Sequence, residues 1–177
     1  MNIDNVNKEI KKFGEKAFFN IAQKYKCSIF IAKIIAWITH NDAYYRYKVH
    51  KYLRKYISTK KIFLKFFYYR KYSFYSHKIN VQLICQKIGK NFYFEHGDIV
   101  INGNCIIGDN VRLIGNNCIG GNEHGAPIIE NNVDVGWCSC IIGNINICSN
   151  VIIGANSTIT KNIYESGTYV CLNKKIK

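Results

Sequence analysis

From residue 88 onward a large apolar side chain returns at nearly every sixth position. The series is Ile88, Phe94, Ile101, Ile107, Leu113, Ile119, Ile129, Val135, Ile141, Ile147, Ile153 and Ile159. Three residues after ten of these twelve stands an asparagine; Gly97 and Cys138 fill the other two places. Small or β-branched residues often follow one position later, as at Cys105, Val111, Val133, Ser139, Val151 and Ser157. A single large apolar residue per six must point to a common interior. Asparagine tolerates the left-handed backbone region, so it suits a tight corner where most residues are strained. Short strands joined by such corners, three hexads to a turn, make a triangular coil. Twelve hexads predict about four turns of a parallel β-helix over residues 81–165, a repeat architecture that needs caps and often oligomerises.

Residues 1–80 have a different pattern. Phe30, Ile31, Ile34, Ile35 and Ile38 form a helix-spaced apolar stripe, and Gly14 is the one glycine before residue 81. This part is predicted to be helical. It also carries all of the excess charge: 18 Lys and Arg against 4 Asp and Glu, while residues 81–177 hold seven of each. Between Tyr44 and Tyr75 the basic residues alternate with Tyr, Phe and Leu. That segment reads as a helical cap whose aromatics pack on the second domain or a sister subunit, or as a contact for an anionic membrane surface. No recognition motif accompanies the charge, so nucleic acid is not an expected partner. The first 25 residues are too polar for a secretory signal, and Ile29–Ile38 is too short to span a bilayer. The expected location is cytoplasmic, with the inner face of the cell membrane as a peripheral site.

Eight cysteines are present without a CxxC pair, mostly inside apolar runs, which fits reduced packing residues rather than a metal site. Residues 166–177 end in a basic tail, Asn173-Lys174-Lys175-Ile176-Lys177, suited to coenzyme phosphates or to plain solvation.

The period breaks twice. Phe94 to Ile101 takes seven residues, with the extra one in His96-Gly97-Asp98. Ile119 to Ile129 takes ten, which inserts a loop from Gly120 to Pro127 that holds Glu123 and His124. The two histidines of the repeat region thus sit at its two irregularities, where an uneven wall makes a pocket. A neutral imidazole at His96 has the chemistry to take a proton from an attacking hydroxyl.

The hexads, together with Phe94-Glu95-His96-Gly97-Asp98, Gly120-Gly121, Gly125-Ala126-Pro127 and Ile153-Gly154-Ala155-Asn156, resemble the hexapeptide-repeat acyltransferases. Within them the pattern is similar to the serine acetyltransferase group and its relatives that acetylate surface polysaccharides. The resemblance covers about residues 80–165. It implies a mainly β, left-handed parallel β-helix with an α-helical N-terminal segment, a homotrimer with sites between neighbouring coils, and acetyl-CoA as cosubstrate with no metal. It implies His96 as catalytic base, Gly120 and Gly121 as oxyanion donors near the thioester, and further coenzyme contacts at Gly136, Trp137 and Ala155. Trp137 stands where the family has a small residue, to stack on the coenzyme arm or fill a gap between subunits. The family's acidic partner of the histidine lies fifteen residues before it, and here that place is Val81. Asp98 and Glu95 are the favoured substitutes; Glu123 and a backbone carbonyl stay open. His124 and Glu123 are the expected acceptor contacts. The arginine that would clamp a serine carboxylate has no equivalent in the loop.

The first functional expectation is therefore acetyl transfer to a hydroxyl of a surface-polysaccharide sugar. Serine O-acetyl transfer feeding cysteine synthesis is the alternative, and a non-catalytic membrane-associated scaffold is the third. A zinc hydratase on the same fold would need three histidine ligands, and residues 81–177 hold two.

Overall fold

The structure is a computed structural model that describes residues 3–171. The chain divides into two compact units, Met1–Val81 and Gln82–Lys177.

The first unit is made of four helices: α1 (Ile3–Lys24), α2 (Ile29–Ile38), α3 (Asp42–Ser58) and α4 (Ile62–Ser76). The Ser28 hydroxyl accepts from the Ile31 N–H, and the Asn41 carboxamide oxygen accepts from the Ala43 N–H, so α2 and α3 each begin on a side-chain cap. The core joins Val6, Ile10 and Phe18 of α1 to Ala32 and Ala36 of α2 and to Ala43 and Tyr47 of α3. Buried Arg54 pairs with Glu9 at 3.2 Å, and Phe13 stacks on His50 at 4.1 Å. The helix expected from the apolar stripe is present, yet Phe30, Ile31, Ile34 and Ile38 are exposed and the small Ala32 and Ala36 face the core. Small side chains let helix backbones approach closely, and that packing decides which face is buried. Among the described residues no helix is long and apolar enough to cross a membrane.

The second unit is a parallel β-solenoid. Its strands are β1 (Val81–Gln82), β2 (Lys87–Ile88), β3 (Tyr93–Phe94), β4 (Ile99–Ile101), β5 (Ile106–Ile107), β6 (Arg112–Leu113), β7 (Cys118–Gly120), β8 (Ile128–Ile129), β9 (Asp134–Val135), β10 (Cys140–Ile142), β11 (Asn146–Ile147), β12 (Val151–Ile153), β13 (Thr158–Ile159) and β14 (Gly167–Tyr169). They stack into three faces: β1-β4-β7-β10-β13, then β2-β5-β8-β11, then β3-β6-β9-β12-β14. The chain visits the first, second and third faces in turn. The solenoid has about five turns rather than four. The hexad count begins at Ile88 and ends at Ile159, but β1 precedes it, and beyond it Ile163 bridges Ile147 and β14 pairs with β12.

Eleven of the twelve hexad positions are buried, with Ile159 partly open near the end. The small residues one place past the corners (Cys105, Val111, Val133, Ser139, Val151 and Ser157) are buried too. Each large aliphatic residue so buried contributes about 1.5–3 kcal/mol, which makes the stacked interior the main stabilising element.

The corners are not all alike. Along the edge from second to third face, Asn91, Asn110, Asn132 and Asn150 are left-handed. Along the edge from third to first face, Asp98, Asn116, Cys138 and Asn156 are. Asn104, Asn122, Asn144 and Asn162, on the remaining edge, are not among the left-handed residues. There Asn102 and Asn122 instead accept hydrogen bonds from the N–H two residues on, at 2.9 and 3.0 Å. The second-to-third edge carries an asparagine ladder, with Asn91 donating to Asn110, Asn110 to Asn132 and Asn132 to Asn150, at 2.8–3.0 Å. The residue separations are 19, 22 and 18. One coil therefore absorbs one extra residue and another absorbs four, while the ladder stays in register and the surplus is expelled at other edges.

Candidate active site

The single extra residue is His96. The Glu95 N–H donates to the Leu113 carbonyl and the Asn116 N–H donates to the Gly97 carbonyl. In the next coil the Ile114 N–H meets Val135, and the Cys138 N–H meets Gly115. Glu95 thus matches Ile114, and Gly97 matches Gly115, which leaves His96 unmatched and pushed out of the ladder at the third-to-first edge. It is exposed. Its imidazole meets the indole of Trp137 edge to face, with ring centroids 5.5 Å apart and planes at 79°. Asp98 takes the left-handed corner (φ 57°) in place of Gly97, where the repeat rule put it.

Two residues that the sequence reading missed build this contact. Gly115 lies between His96 and Trp137 in the stack. A Cβ there would stand 2.6 Å from the His96 Cβ and 2.7 Å from the indole, at a φ of +141°. Only glycine leaves the rings room to meet. Buried Asn117 holds that corner: its carbonyl oxygen accepts from the Gly115 N–H at 2.9 Å, and its amide donates to the Gly136 carbonyl at 2.7 Å. In the sequence Asn117 is a polar residue like Ser139 and Ser157, which hold the same place in the following coils, so nothing there marked its role.

The other expected site residues separate onto different parts of the prism. Gly136, Trp137 and Ala155 lie on the same edge as His96, below it in the stack. A Cβ on Gly136 would stand 2.5 Å from the Ala155 nitrogen, so glycine lets these coils pack closely. Glu95 and Asp98 flank the His96-Gly97 step. The Glu95 carboxylate is engaged by Arg112 at 3.2 Å, and Arg112 also forks onto Asp134 at 2.7 and 3.2 Å. Hydrogen bonding to Asp134 raises the already high Arg112 pKa, with Glu95 adding to it. Val81, in the family's acid position, is buried in β1.

Gly120, Gly121, Glu123 and His124 lie on the next edge, between the first and second faces. The loop is held by reciprocal backbone bonds between Asn122 and Gly125, at 2.8 and 3.2 Å. Glu123 and His124 are exposed at its tip with 3.4 Å between carboxylate and ring. A Cβ on Gly121 would stand 2.7 Å from the Gly125 carbonyl, which explains glycine at the loop base. His124 and Asn122 border a cavity of about 470 Å³ continued by Gly143, Asn144, Ile145 and Thr160. That is within the size range of small-molecule sites. His96 and His124 therefore occupy different edges of one protomer.

Among the described residues no group of three His, Cys, Asp or Glu side chains is placed to hold a metal ion. The basic tail Asn173–Lys177 lies outside the described residues.

No family model matches the chain. Over 89 residues, 48% of its length, it is 43% identical to the serine acetyltransferase of Staphylococcus epidermidis and 40% identical to that of Staphylococcus aureus. The match spans 42% of those proteins, so the chain corresponds to about two fifths of their length. In three dimensions it is similar to Neisseria gonorrhoeae serine acetyltransferase, with a TM-score of 0.62 and 20% identity over 98% of this chain and 67% of that one. It is also similar to a serine acetyltransferase in complex with CoA, with a TM-score of 0.57 and 21% identity over 73% of this chain and 54% of that one. The second unit is thus a hexapeptide-repeat β-solenoid, the fold of the acyltransferases that the hexads resemble. The sequence relatives named above are serine acetyltransferases.

Proposed function

We propose that the chain is an acetyl-CoA-dependent O-acetyltransferase with His96 as its general base. The observation that carries this is the insertion of one residue, an exposed histidine, into an otherwise regular coil. Neutral His96 takes the proton of the acceptor hydroxyl as that oxygen attacks the thioester carbonyl carbon. Backbone N–H groups at Gly120 and Gly121 are the oxyanion donors. The tetrahedral intermediate collapses with cleavage of the C–S bond, and the imidazolium returns the proton to the departing thiolate. No covalent enzyme intermediate forms.

His96 and the His124 loop lie on different edges, so one protomer does not by itself enclose a site with both. In a threefold assembly one edge of each prism faces a different edge of its neighbour, which supports a trimer with its sites between protomers.

Serine is the first acceptor in this reading, supported by the relatives over the repeat region. A sugar hydroxyl is the second, favoured by one observation: the loop partner of His124 is Glu123, with no arginine in the loop to hold a carboxylate, while Trp137 offers an aromatic face beside His96. Thiol release from acetyl-CoA, measured with L-serine and with a panel of hexoses, separates the two. Turnover with L-serine well above the panel supports the first. Turnover with hexoses alone sinks it, and none with any hydroxyl acceptor overturns both.

A further inference from the structure

Helix α4 distributes its aromatic residues against their ordinary preference. Its tyrosines meet the aromatics of α3: Tyr75 stacks on Tyr52 at 5.6 Å with planes 5° apart, Tyr68 meets Tyr52, and Tyr69, though 46% exposed, meets Tyr56. Tyr72 is buried. Its phenylalanines point away from the unit, with Phe63 88%, Phe66 67% and Phe74 58% exposed, and Ile62 beside them. Phenylalanine has no polar tip to present to water, and tyrosine does, so a water-facing helix would be expected to use the two residues the other way round. Phe63, Phe66, Phe67 and Phe74 recur at helical spacing with exposed Arg70 among them, and an exposed apolar face rimmed by charge in this way marks an interaction surface.

The charges identify what meets it. No Asp or Glu occurs between Asp42 and Glu95, while Lys60, Lys61, Lys65, Arg70 and Lys71 lie on or just before α4. The Lys71 ammonium lies 5.8 Å from the centre of the Phe67 ring, so cation and ring share a level, as they do where a membrane's headgroups meet its acyl chains. At the start of α4, Lys55, Lys60 and Lys61 border a cavity of about 480 Å³ whose apolar wall includes Ile3, Val6 and Leu64. Helix α4 has no side-chain N-cap and no acidic residue in its first turn. A second copy of the chain fits poorly, because a self-complementary contact would set these five cations near their own copies with no acid on the element to offset them.

We infer that α4 is an interfacial helix that lays its phenylalanine face on an anionic phospholipid surface, with the lysines at its start meeting the headgroup phosphates. At 15 residues it is about 22 Å long, too short to span a bilayer and suited to lying in its plane.

The test is co-sedimentation of the full chain with phosphatidylcholine vesicles, pure or with about one third phosphatidylglycerol. The protein is expected to bind the anionic vesicles and not the neutral ones. Phe63→Ser with Phe66→Ser lowers binding about tenfold. Lys60→Glu with Lys61→Glu lowers it at least as much, by about fivefold per lysine. Both pairs are exposed, so the thermal unfolding midpoint stays at its wild-type value. Failure of the wild type to bind anionic vesicles overturns the inference, as does unchanged binding by the phenylalanine pair. A phenylalanine variant that loses an oligomer in sedimentation velocity yet keeps vesicle binding assigns the face to a second copy and overturns it too.

Discussion

The imidazole of His96 and the indole of Trp137 meet edge to face from coils two turns apart, across the space that Gly115 leaves between them. The contact braces the ring of the proposed base from its side. Gly115→Ala puts a methyl group into both rings at a left-handed backbone position. It is expected to destabilise the protein by about 1–3 kcal/mol and to cut acetyl transfer by more than the stability loss explains. Urea unfolding and initial rates on the same preparation check this. A variant with wild-type rates would show that the ring contact is incidental.

Glu95 lies next to His96 in sequence, but its carboxylate is held by Arg112. Glu95→Gln is expected to change acetyl transfer by less than about threefold, against the hundredfold or greater loss that removing an orienting acid brings. Arg112→Ala costs under about 1 kcal/mol, because the cluster is partly exposed and screened. A large kcat loss in Glu95→Gln would return Glu95 to the base as its partner.

The repeat rule was legible because one physical demand, a large side chain into a shared interior, recurs at a fixed interval. Left-handed asparagine corners follow the rule on two edges. On the third, Asn102 and Asn122 cap the backbone instead, and the same residue type serves a different geometry. The surplus residue at His96 could be counted in the sequence. Gly115 and Asn117 could not be assigned there, because their partners are one coil away and the offset between coils changes from 18 to 22 where the loop enters. In the helical unit the apolar stripe of α2 was visible and marked a helix, but hydrophobicity alone did not tell which face is buried, since the small Ala32 and Ala36 lie in the core.

The cysteines read as packing residues, and burial gives that a measurable consequence. It pushes the Cys85 thiol up to about 12 and the Cys105 thiol up to about 11. Both stay protonated near neutral pH and are poor nucleophiles. Iodoacetamide at about pH 8 is expected to modify exposed Cys171 in the native protein and to spare Cys85 and Cys105 until denaturant is added. Peptide mass spectrometry reads the sites. Native labelling of Cys85 as fast as Cys171 would contradict the burial.

Glu130 fixes a corner through its ionised form. Its carboxylate accepts from the Asn146 amide at 3.2 Å and from the Ser149 hydroxyl and N–H at 3.0 and 3.1 Å, and these bonds hold its pKa below the ordinary value. A depressed folded-state pKa contributes stability that is present above the unfolded value of about 4.3 and is lost as pH falls through the folded one. Glu130→Gln is therefore expected to flatten the fall in stability on the acid side of that value while leaving the slope near neutrality unchanged. Thermal midpoints collected across the acid range check the sign. An unchanged acid slope in Glu130→Gln would remove Glu130 from the account.

The claim that His96 is the base rests most directly on one comparison: the rate of thiol release from acetyl-CoA by the wild type and by His96→Ala, with the preferred acceptor saturating. The variant is expected to lose about 10²–10⁴-fold in kcat with little change in the KM for acetyl-CoA and an unchanged unfolding midpoint. Turnover by His96→Ala close to the wild-type rate would contradict it and move the chemistry to another edge of the solenoid.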